Sequence, residues 1–542
     1  MASECRLRFR VLVPTVMSQP EHIENVPAEI WIKILVDVEP FDVLSAGKTC
    51  RYLRDITSSK DLWRGLVNTM CSKHGLFRPS YPVEDMSLGQ IQRATVGPYL
   101  FARQLQHRGA SFDTPIAAVD RLEPVSQRIA CVQRHILFYQ IVPGGRFAVF
   151  IYPTETSTET IGTLPALSME LLDLGPPGLP LSPEPALSYV HPNISSMARG
   201  GMLVTASVSI TSQSPLADTL RVGIAMIHTD GFYVVSIFAI TPTHPVPSFE
   251  RLASFTIMNR IPTENIHSIL VHGDRALFII GNIFIAWSFT DETCIVIHHN
   301  RTYQSKQTIL TEDEIICIAA SGVYQWSLSD KKNESILTSK GLFLEKLPPL
   351  RPSDNVIEPP WDRVAYHIQI TKRGNNKLPF TFDIFLVPRA RGAVAEVAIG
   401  RRYTLRSPQK TSQNPIVRTP QPPVCELTLD LEHSFEVSLG YLIPSESSPS
   451  PCLYPGLSTL SSGVGTASYV NLIYWIQPRI TADTEPEEAV EGYTGTMKFL
   501  AFRHQFLLSW CPASSRCLFP HDHIAPSGRT GLIAIEVYDY MT

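Results

Sequence analysis

The chain contains 542 residues, 44% of them hydrophobic, with 46 basic and 50 acidic side chains that give a formal net charge of −4. This length and composition predict a folded protein with more than one domain and exclude a largely disordered chain. The charges are spread without long runs, so no surface for nucleic acid is expected. The longest apolar stretch, 276–287, is interrupted at Gly281 and Asn282 and is shorter than the roughly 18 residues that a membrane-spanning helix needs.

Residues 1–20 are predicted to form an N-terminal arm. The apolar residues 11–17 follow three arginines, but this stretch is short and is broken by Pro14, so a secretory signal is not expected. The ten cysteines are scattered, which is typical of reduced thiols. We therefore expect a cytoplasmic or nuclear protein that does not insert into a membrane.

No motif in the sequence predicts catalysis or metal binding. The nucleophile motif G-x-S-x-G and the zinc motif H-E-x-x-H are both absent from the sequence. The tightest group of metal-ligand residue types has a spacing that matches no recognised zinc pattern. Its members are Cys511, Cys517, His521 and His523. We therefore expect a protein that is not an enzyme, with no catalytic residue, no metal ion and no cofactor.

Residues 21–68 predict a small group of helices with more apolar surface than they can bury by themselves. Pro27 suits the first turn of a helix, where a missing N–H costs nothing, and Glu29 suits the positive end of the helix dipole. The positions that follow are apolar on almost every side of the helix: Ile30, Trp31, Ile32, Ile34, Leu35 and Val36. A module of about 45 residues has too little mass to cover such a helix on all sides. The sequence therefore predicts a binding partner.

The helical pattern continues to residue 68. Pro40 is predicted to begin a second helix that contains Val43 and Leu44. An apolar stripe with spacing i, i+3, i+6 follows, and Ser59 is predicted to cap a further helix. The members of the stripe are Cys50, Leu53 and Ile56.

This order of apolar residues and prolines resembles the F-box of fungal-type F-box proteins. The resemblance rests on 26–36, on Pro40-Phe41-Asp42-Val43-Leu44, on 50–54 and on Leu62-Trp63, and covers about a tenth of the chain. It implies that residues 21–68 bind the Skp adaptor and, through it, a cullin. The residues implied to bind the adaptor are Val26, Pro27, Ile30, Ile34, Leu35, Phe41, Val43, Leu44, Cys50, Leu53, Leu62 and Trp63. The alternative is a plain helical bundle that buries its spare face against the rest of the chain.

Residues 69–110 are predicted to form a helical connector. Ser87 is predicted to cap a helix that begins at Leu88, and Pro98 is predicted to begin a second helix. From residue 111 to residue 542 the pattern changes to β-strands.

Hairpins recur in the β region. One strand, 277–280, runs into Gly281-Asn282 and returns as 283–287, and another, 315–318, runs into Ser321-Gly322 and returns as 323–326. Both turns use residues that accept positive φ. The return strands carry Trp287 and Trp326, which are 39 positions apart. We expect both tryptophans to be buried at equivalent places in neighbouring units.

An earlier hairpin, 136–152, turns at Pro143-Gly144-Gly145 and precedes 171–174, which resembles the Trp-Asp strand ending of WD-type repeats with Leu172 in the Trp position. A hairpin repeat near 40 residues is what a β-propeller blade requires. Residues 531–540 are predicted to form a final strand. The alternative for this region is a large irregular β-sandwich.

Three stretches rich in Pro, Ser and Gly are predicted to be solvated loop insertions in the β region. They are 164–192, 407–423 and 444–468, and a shorter acidic loop is predicted at 483–491.

The expected fold class is α+β multidomain: a three-helix F-box and a helical connector, followed by a large all-β domain that resembles a β-propeller. F-box proteins with a C-terminal propeller form a known class. The resemblance implies a non-catalytic substrate receptor of a Skp–cullin–F-box ubiquitin ligase, with an unknown protein target held by the β domain. Two alternatives stay open. One is an F-box scaffold that binds the adaptor without promoting ubiquitination. The other is a propeller enzyme or ligand-binding protein whose N-terminal helices have only a structural role.

Overall fold

The computed structural model divides into two compact units. The first comprises Met1–Thr69 and Met86–Val96, and the second, which contains the β region, comprises Met70–Asp85 and Gly97–Thr542. The residues that the structure describes are 26–74, 76–108, 125–134, 136–153, 167–175, 181, 184–190, 201–210, 218–228, 232–243, 247–258, 266–300, 305–319, 321–328, 334–336, 342–343, 350–357, 366–373, 380–388, 396–405, 416–418, 425–429, 458–460, 468–476, 493–501, 509–511, 514, 516–523 and 532–539. The predicted arm at 1–20 and the predicted acidic loop at 483–491 lie outside these residues.

The helices lie at the front of the chain, where the sequence predicts them, but the F-box region contains four helices and not the expected three, and the fourth continues past residue 68. Pro40 is the first residue of its helix, and the Ser59 hydroxyl accepts a hydrogen bond from the N–H of Asp61 at 3.3 Å. The Ser87 hydroxyl accepts from the N–H of Gln90 while the Gln90 side chain accepts from the N–H of Ser87, which is a capping box. The helices are α1 (Ala28–Val36), α2 (Pro40–Ala46), α3 (Arg51–Thr57), α4 (Lys60–His74) and α5 (Leu88–Arg108). None of them combines the length and the hydropathy needed to cross a lipid bilayer.

The predicted helix start at Pro98 is wrong, because α5 is one helix that contains Pro98. Proline removes one hydrogen bond to the preceding turn. The helix continues because packing outweighs this loss: Ile91, Thr95 and Val96 are buried, and the Thr95 hydroxyl donates to the Ile91 carbonyl at 2.7 Å.

The strands form seven sheets within the described part of the chain. Sheet 1 contains β2 (Phe138–Ile141), β3 (Phe147–Pro153), β4 (Leu167–Asp173) and β5 (Leu187–Val190). Sheet 2 contains β6 (Gly201–Ile210), β7 (Leu220–His228), β8 (Phe232–Thr241), β9 (Ser248–Met258) and β18 (Leu342–Phe343). Sheet 3 contains β10 (Ile266–His272), β11 (Arg275–Ile280), β12 (Ile283–Ser288), β13 (Thr293–His298) and β17 (Glu334–Ile336).

The remaining four sheets complete the β region. Sheet 4 contains β14 (Ser305–Leu310), β15 (Glu314–Ala319), β16 (Gly322–Ser327) and β19 (Asn355–Ile357). Sheet 5 contains β20 (Tyr366–Arg373), β21 (Phe380–Pro388), β22 (Glu396–Leu405), β23 (Ile416–Arg418) and β24 (Cys425–Leu429). Sheet 6 contains β25 (Ser458–Leu460), β26 (Ser468–Ile476) and β27 (Tyr493–Ala501). Sheet 7 contains β28 (Ser509–Cys511), β29 (Arg516–His523), β30 (Leu532–Asp539) and β1 (Ser126–Arg134).

Six of the sheets follow one another as the blades of a β-propeller do, in the order 7, 1, 2, 3, 4 and 5. Each is built mainly from consecutive antiparallel strands, and the first strands of neighbouring sheets contact each other: β2 contacts β28 and β6, β10 contacts β6 and β14, and β14 contacts β20. Apolar clusters fill the spaces between sheets 1 and 2, between sheets 2 and 3 and between sheets 3 and 4. Burial of each sheet between its neighbours is the packing that a propeller requires.

The predicted tryptophan repeat is confirmed. Trp287 is the fifth residue of β12 and pairs with the second residue of β11, and Trp326 has the same place in β16 relative to β15. Both are buried, in the equivalent layers between sheets 2 and 3 and between sheets 3 and 4. Gly281 has the predicted positive φ of +54°. The second turn lies one residue earlier than predicted, because Gly322 is already in β16 and pairs with Ala319.

The three predicted loop insertions are partly strand, which corrects the sequence analysis. Residues 164–192 contain β4 and β5, residues 407–423 contain β23, and residues 444–468 contain β25 and the first residue of β26. Apart from β4, these segments are short. Strands β5, β23 and β25 have three or four residues and lie at the edge of their sheets, and a single residue belongs to β26. Such short pieces leave little periodicity in a sequence rich in Pro and Ser.

The predicted final strand, β30, pairs with β1, so the first and last strands of the β region lie in one sheet. A buried ion pair supports this sheet. The Asp539 carboxylate accepts hydrogen bonds from Arg516 Nε at 2.5 Å, from Arg128 Nη2 at 2.7 Å and from the Ser126 hydroxyl at 2.6 Å. Asp539 and Arg516 are 0% and 1% exposed.

The same arginine joins sheet 7 to sheet 1. Arg516 Nη1 donates to the carbonyl of Gly145, in the β2–β3 turn, at 2.6 Å and to the carbonyl of Gly175, after β4, at 3.0 Å. Gly145 has φ +77°, and a Cβ there would lie 1.9 Å from Ser514 Oγ, so only glycine fits. We call this set of contacts between sheets 7 and 1 the seam.

The seam predicts a dependence of stability on acid. Burial by itself raises the pKa of Asp539, but Arg516, the hydrogen bonds from Ser126 and Arg516, and Arg128 together hold this pKa below its ordinary value. A carboxyl whose pKa is lower in the folded state stabilises the fold above its unfolded pKa of about 4, and this contribution falls as the pH drops through the folded value. Asp539→Asn should therefore cost about 3–5 kcal/mol of unfolding free energy at pH 7, since Arg516 stays buried without its partner.

Urea unfolding at pH 7 and at lower pH measures this effect. The exposed Asp218→Asn is the matched control and should behave as the parent protein does. A parent protein and an Asp539→Asn variant of equal stability at pH 7 would contradict the role of the ion pair.

Residues 76–81, which the sequence analysis placed in the connector, pack against sheet 1. Phe77 is 0% exposed within the apolar cluster between sheets 1 and 2, and its ring meets that of Phe147 edge-on at 6.1 Å. The Phe77 N–H donates to the Pro143 carbonyl at 3.0 Å. A Cβ on Gly144 would lie 2.6 Å from Ser80, which shows how closely the two segments approach. The β region therefore includes a segment that precedes its first strand by about 45 residues.

Candidate protein-binding surface of the N-terminal helices

Pro27 fixes the start of α1. It lies one residue before the helix, and its carbonyl accepts hydrogen bonds from the N–H groups of Ile30 at 3.0 Å and Trp31 at 3.3 Å. Glu29 in the first turn and Lys33 in the last turn both suit the helix dipole. The helix is therefore stabilised locally, without using its apolar side chains.

Five of the twelve residues implied to bind the adaptor are buried between the helices, so their side chains are not accessible to another protein. They are Leu35, Val43, Leu53, Leu62 and Trp63. Trp63 is 0% exposed and its indole N–H donates to the Thr57 carbonyl at 2.6 Å, which ties α4 to the end of α3. These side chains form the core that holds the helices together.

Two glycines allow this core to be tight. A Cβ on Gly47 would lie 2.3 Å from Thr57 Oγ1, and a Cβ on Gly65 would lie 2.8 Å from the Val36 side chain. Gly47 therefore serves close packing between the end of α2 and the end of α3.

The other seven implied residues reach the surface. Pro27, Ile30 and Ile34 are exposed to solvent. The exposed fractions of Ile30 and Ile34 are 43% and 49%. Because they are four positions apart on α1, they form one apolar patch. The partly exposed members of the set are Val26, Phe41, Leu44 and Cys50.

The sequence analysis missed Tyr52, which fixes the edge of this surface. The Tyr52 hydroxyl donates to the Val26 carbonyl at 2.6 Å and so holds the chain before α1 against α3. Cys50 caps α3, with its sulfur accepting from the N–H of Leu53 at 3.5 Å. No local pattern indicates the bond from Tyr52, because it joins residues 26 positions apart.

The chemistry of this surface is apolar contact. No group of three or more His, Cys, Asp and Glu side chains that could hold a metal ion occurs in the described part of the chain. Two exposed isoleucines on a helix fixed by its own core suit the burial of apolar area against a partner protein.

Comparisons with known protein families match one segment of the chain. The F-box-like family matches residues 23–69. No curated protein matches the chain.

Among the solved structures that match the chain are three domains of low sequence identity and low TM-score. The WD40 domain of SCAP from fission yeast is 11% identical with TM-score 0.34, and covers 75% of this chain and 82% of its own. The N-terminal domain of Nup159 is 10% identical with TM-score 0.28, covering 77% of this chain and 95% of its own. Hsv2 of Kluyvelomyces marxianus is 9% identical with TM-score 0.27, covering 76% of this chain and 100% of its own. The chain thus carries an F-box-like domain at residues 23–69, ahead of a large β region with the sheet order of a propeller.

Proposed function

We propose that this chain is a non-catalytic substrate receptor of a Skp–cullin–F-box ubiquitin ligase. The observation that carries the proposal is the exposed pair Ile30 and Ile34 within the F-box-like domain. Because about half of each side chain is already covered, burying the rest in an interface contributes about 1 kcal/mol for each isoleucine. The proposed contact surface with the Skp adaptor consists of Val26, Pro27, Ile30, Ile34, Phe41, Leu44 and Cys50.

The buried residues of the set have an indirect role in this proposal. Their close packing in the core fixes the positions of the helices and therefore of the side chains on the contact surface. These residues are Leu35, Val43, Leu53, Leu62 and Trp63. The β region then holds a protein target. The mechanism is proximity: the target's lysines are kept at a high effective concentration beside the activated ubiquitin, and other subunits supply the bond chemistry.

Co-purification of the tagged full chain tests this proposal against the two alternatives. We expect both the Skp adaptor and a cullin to co-purify in amounts comparable to the chain. Adaptor without cullin would instead support a scaffold that promotes no ubiquitination. The absence of both would overturn the proposal and favour a propeller enzyme or ligand-binding protein with structural front helices.

A further inference from the structure

Two adjacent histidines lie where the chain leaves sheet 3. His298 is the last residue of β13, and His299 follows it. His299 is 4% exposed, whereas His298 is half-buried. Burial of an imidazole favours its neutral form, because the charged form loses its hydration. Uptake of a proton by this pair is therefore opposed by the fold.

His299 lies in the aromatic layer between sheets 3 and 4. Its ring centroid is 4.3 Å from that of Phe284 in β12 and 6.0 Å from that of Trp326 in β16. Its Nδ1 lies 3.0 Å from the carbonyl oxygen of Asn300. Because a carbonyl oxygen only accepts, Nδ1 carries the proton of the neutral ring. A second proton would go to Nε2, on a ring packed among apolar side chains.

Asn282 holds the β11–β12 turn against the pair. Its Nδ2 donates to His298 Nε2 at 2.8 Å and to the His299 carbonyl at 3.2 Å. The His299 N–H donates back to the Asn282 carbonyl at 2.9 Å. An amide nitrogen only donates, so the contact with His298 requires an unprotonated Nε2. The turn is therefore bound to the neutral form of His298.

The same pair anchors the segment that leads into β19. We call residues 350–357 the return segment. The His298 carbonyl accepts from the N–H of Arg351 at 2.7 Å, and His298 and Leu350 form a parallel bridge. The return segment then pairs with β16 as β19. Movement of His298 would therefore be transmitted to the last strand of sheet 4.

Few titratable groups lie on the elements packed against the pair. Strands β12 and β19 carry none, β13 carries Cys294 besides His298, and β16 carries Tyr324. On the return segment, the Arg351 guanidinium and the Asp354 carboxylate bind each other at 3.1 Å. These neighbours leave the burial of the rings as the main influence on their charge.

The direction of the pKa agrees with this geometry. Burial lowers the pKa of His299, the hydrogen bond to Asn300 raises it, and the charge of His298 lowers it, so that the net change is downward. A histidine whose pKa is lower in the closed state stabilises that state fully above its ordinary pKa of about 6.5. This stabilisation is lost as the pH falls below that value.

We propose that His298 and His299 form an acid-sensitive lock, in which protonation releases the β11–β12 turn and the return segment from the end of β13. Each pH unit below about 6.5 increases the opened fraction up to tenfold for the proton that His299 takes up. Opening is local, since short segments of a protein open without global unfolding. The lock belongs to the β region and does not depend on the adaptor surface.

Hydrogen–deuterium exchange of the purified full chain, followed by mass spectrometry, tests the proposal. Peptides that cover 281–300 and 350–357 are compared at about pH 7.5 and about pH 5.5, after correction for the intrinsic pH dependence of amide exchange. We expect their protection to fall about tenfold at the lower pH, because about one pH unit of this range lies below 6.5. Peptides from β7 and β8 in sheet 2 report global unfolding and should keep their protection.

Three variants assign the response to the pair. His299→Asn should show equal protection at both pH values, because its side chain stays uncharged. His299→Gln is a second neutral variant, and its larger side chain refills more of the ring's volume. His272→Asn is the matched control, because His272 is a half-buried histidine at the end of β10 in the same sheet. It should respond to acid as the parent does.

The parent protein alone can overturn the proposal. Equal protection of its two segments at both pH values would do so, and so would stronger protection at the lower pH, which would show that the aromatic rings favour the imidazolium. Loss of protection in sheet 2 to the same extent would show global unfolding and would contradict a local lock. A full acid response in either neutral variant of His299 would rule out this residue as its origin.

Discussion

Ile34→Asp, alone or with Ile30→Asp, is expected to abolish binding of the Skp adaptor while the protein stays folded. Both side chains are about half exposed on α1, so replacing them removes little packing within the chain. In the complex, the aspartate would be buried in an apolar interface without a partner, which costs several kcal/mol. Loss of a central apolar contact alone costs about 2 kcal/mol or more, a factor of about 30 in Kd.

Binding of purified adaptor to immobilised full-length chain, followed by surface plasmon resonance, measures this loss. Val190→Asp is the matched control, since Val190 is an apolar side chain of similar exposure in the β region. Unfolding temperatures of both variants should match that of the parent. Full adaptor binding by the Ile30→Asp and Ile34→Asp double variant would rule out α1 as the contact surface. Leu44→Asp, at a partly exposed position of α2, should weaken binding in the same way.

The second expected result is that a fragment of residues 111–542 does not fold to a stable β domain, whereas a fragment of 70–542 does. Residues 70–85 belong to the same compact unit as the sheets, and Phe77 is fully buried between sheets 1 and 2. Their removal would expose the apolar side chains that Phe77 covers, among them Val142 and Phe147. In the full chain, Phe77→Ala should cost about 3–5 kcal/mol, because it leaves a cavity of aromatic size.

Circular dichroism, urea unfolding and gel filtration of the two fragments distinguish these outcomes. Phe77→Leu is the conservative control and should recover most of the loss, since it refills most of the volume. A fragment of 111–542 that unfolds cooperatively, with the same urea midpoint as 70–542, would show that the segment is dispensable.

Local signals in the sequence predicted the elements that depend on a few neighbouring residues. Helix starts at Pro40 and Ser59, the cap at Ser87 and the positive φ at Gly281 follow from the geometry of one turn, which nearby residues decide. The repeat of Trp287 and Trp326 was equally visible, because equivalent strands place the same residue type in equivalent layers. Pro98 was predicted wrongly, since packing overrode the local preference.

The residues of the candidate surface could also be predicted from the sequence. The sequence did not show which of them are exposed for contact with a partner and which form the core of the helices. Ile30, Ile34, Leu35 and Val43 are all apolar and all fit a helical pattern, yet the first two are exposed and the last two are core. The spacing of apolar residues predicts a helix with apolar faces, but the packing of the neighbouring helices decides which of these faces is covered.

What the sequence by itself determined is the order of domains: F-box-like helices first and a repeated β region after them. Only the tertiary structure decided which distant segments meet. Ser126 and Asp539 are 413 positions apart and share a hydrogen bond, Phe77 enters the core of sheets that begin after it, and β18 joins a sheet whose other strands end at residue 258. Such contacts leave no local pattern, because their energy depends on the surface that the folded chain presents and not on the neighbours of each residue along the sequence.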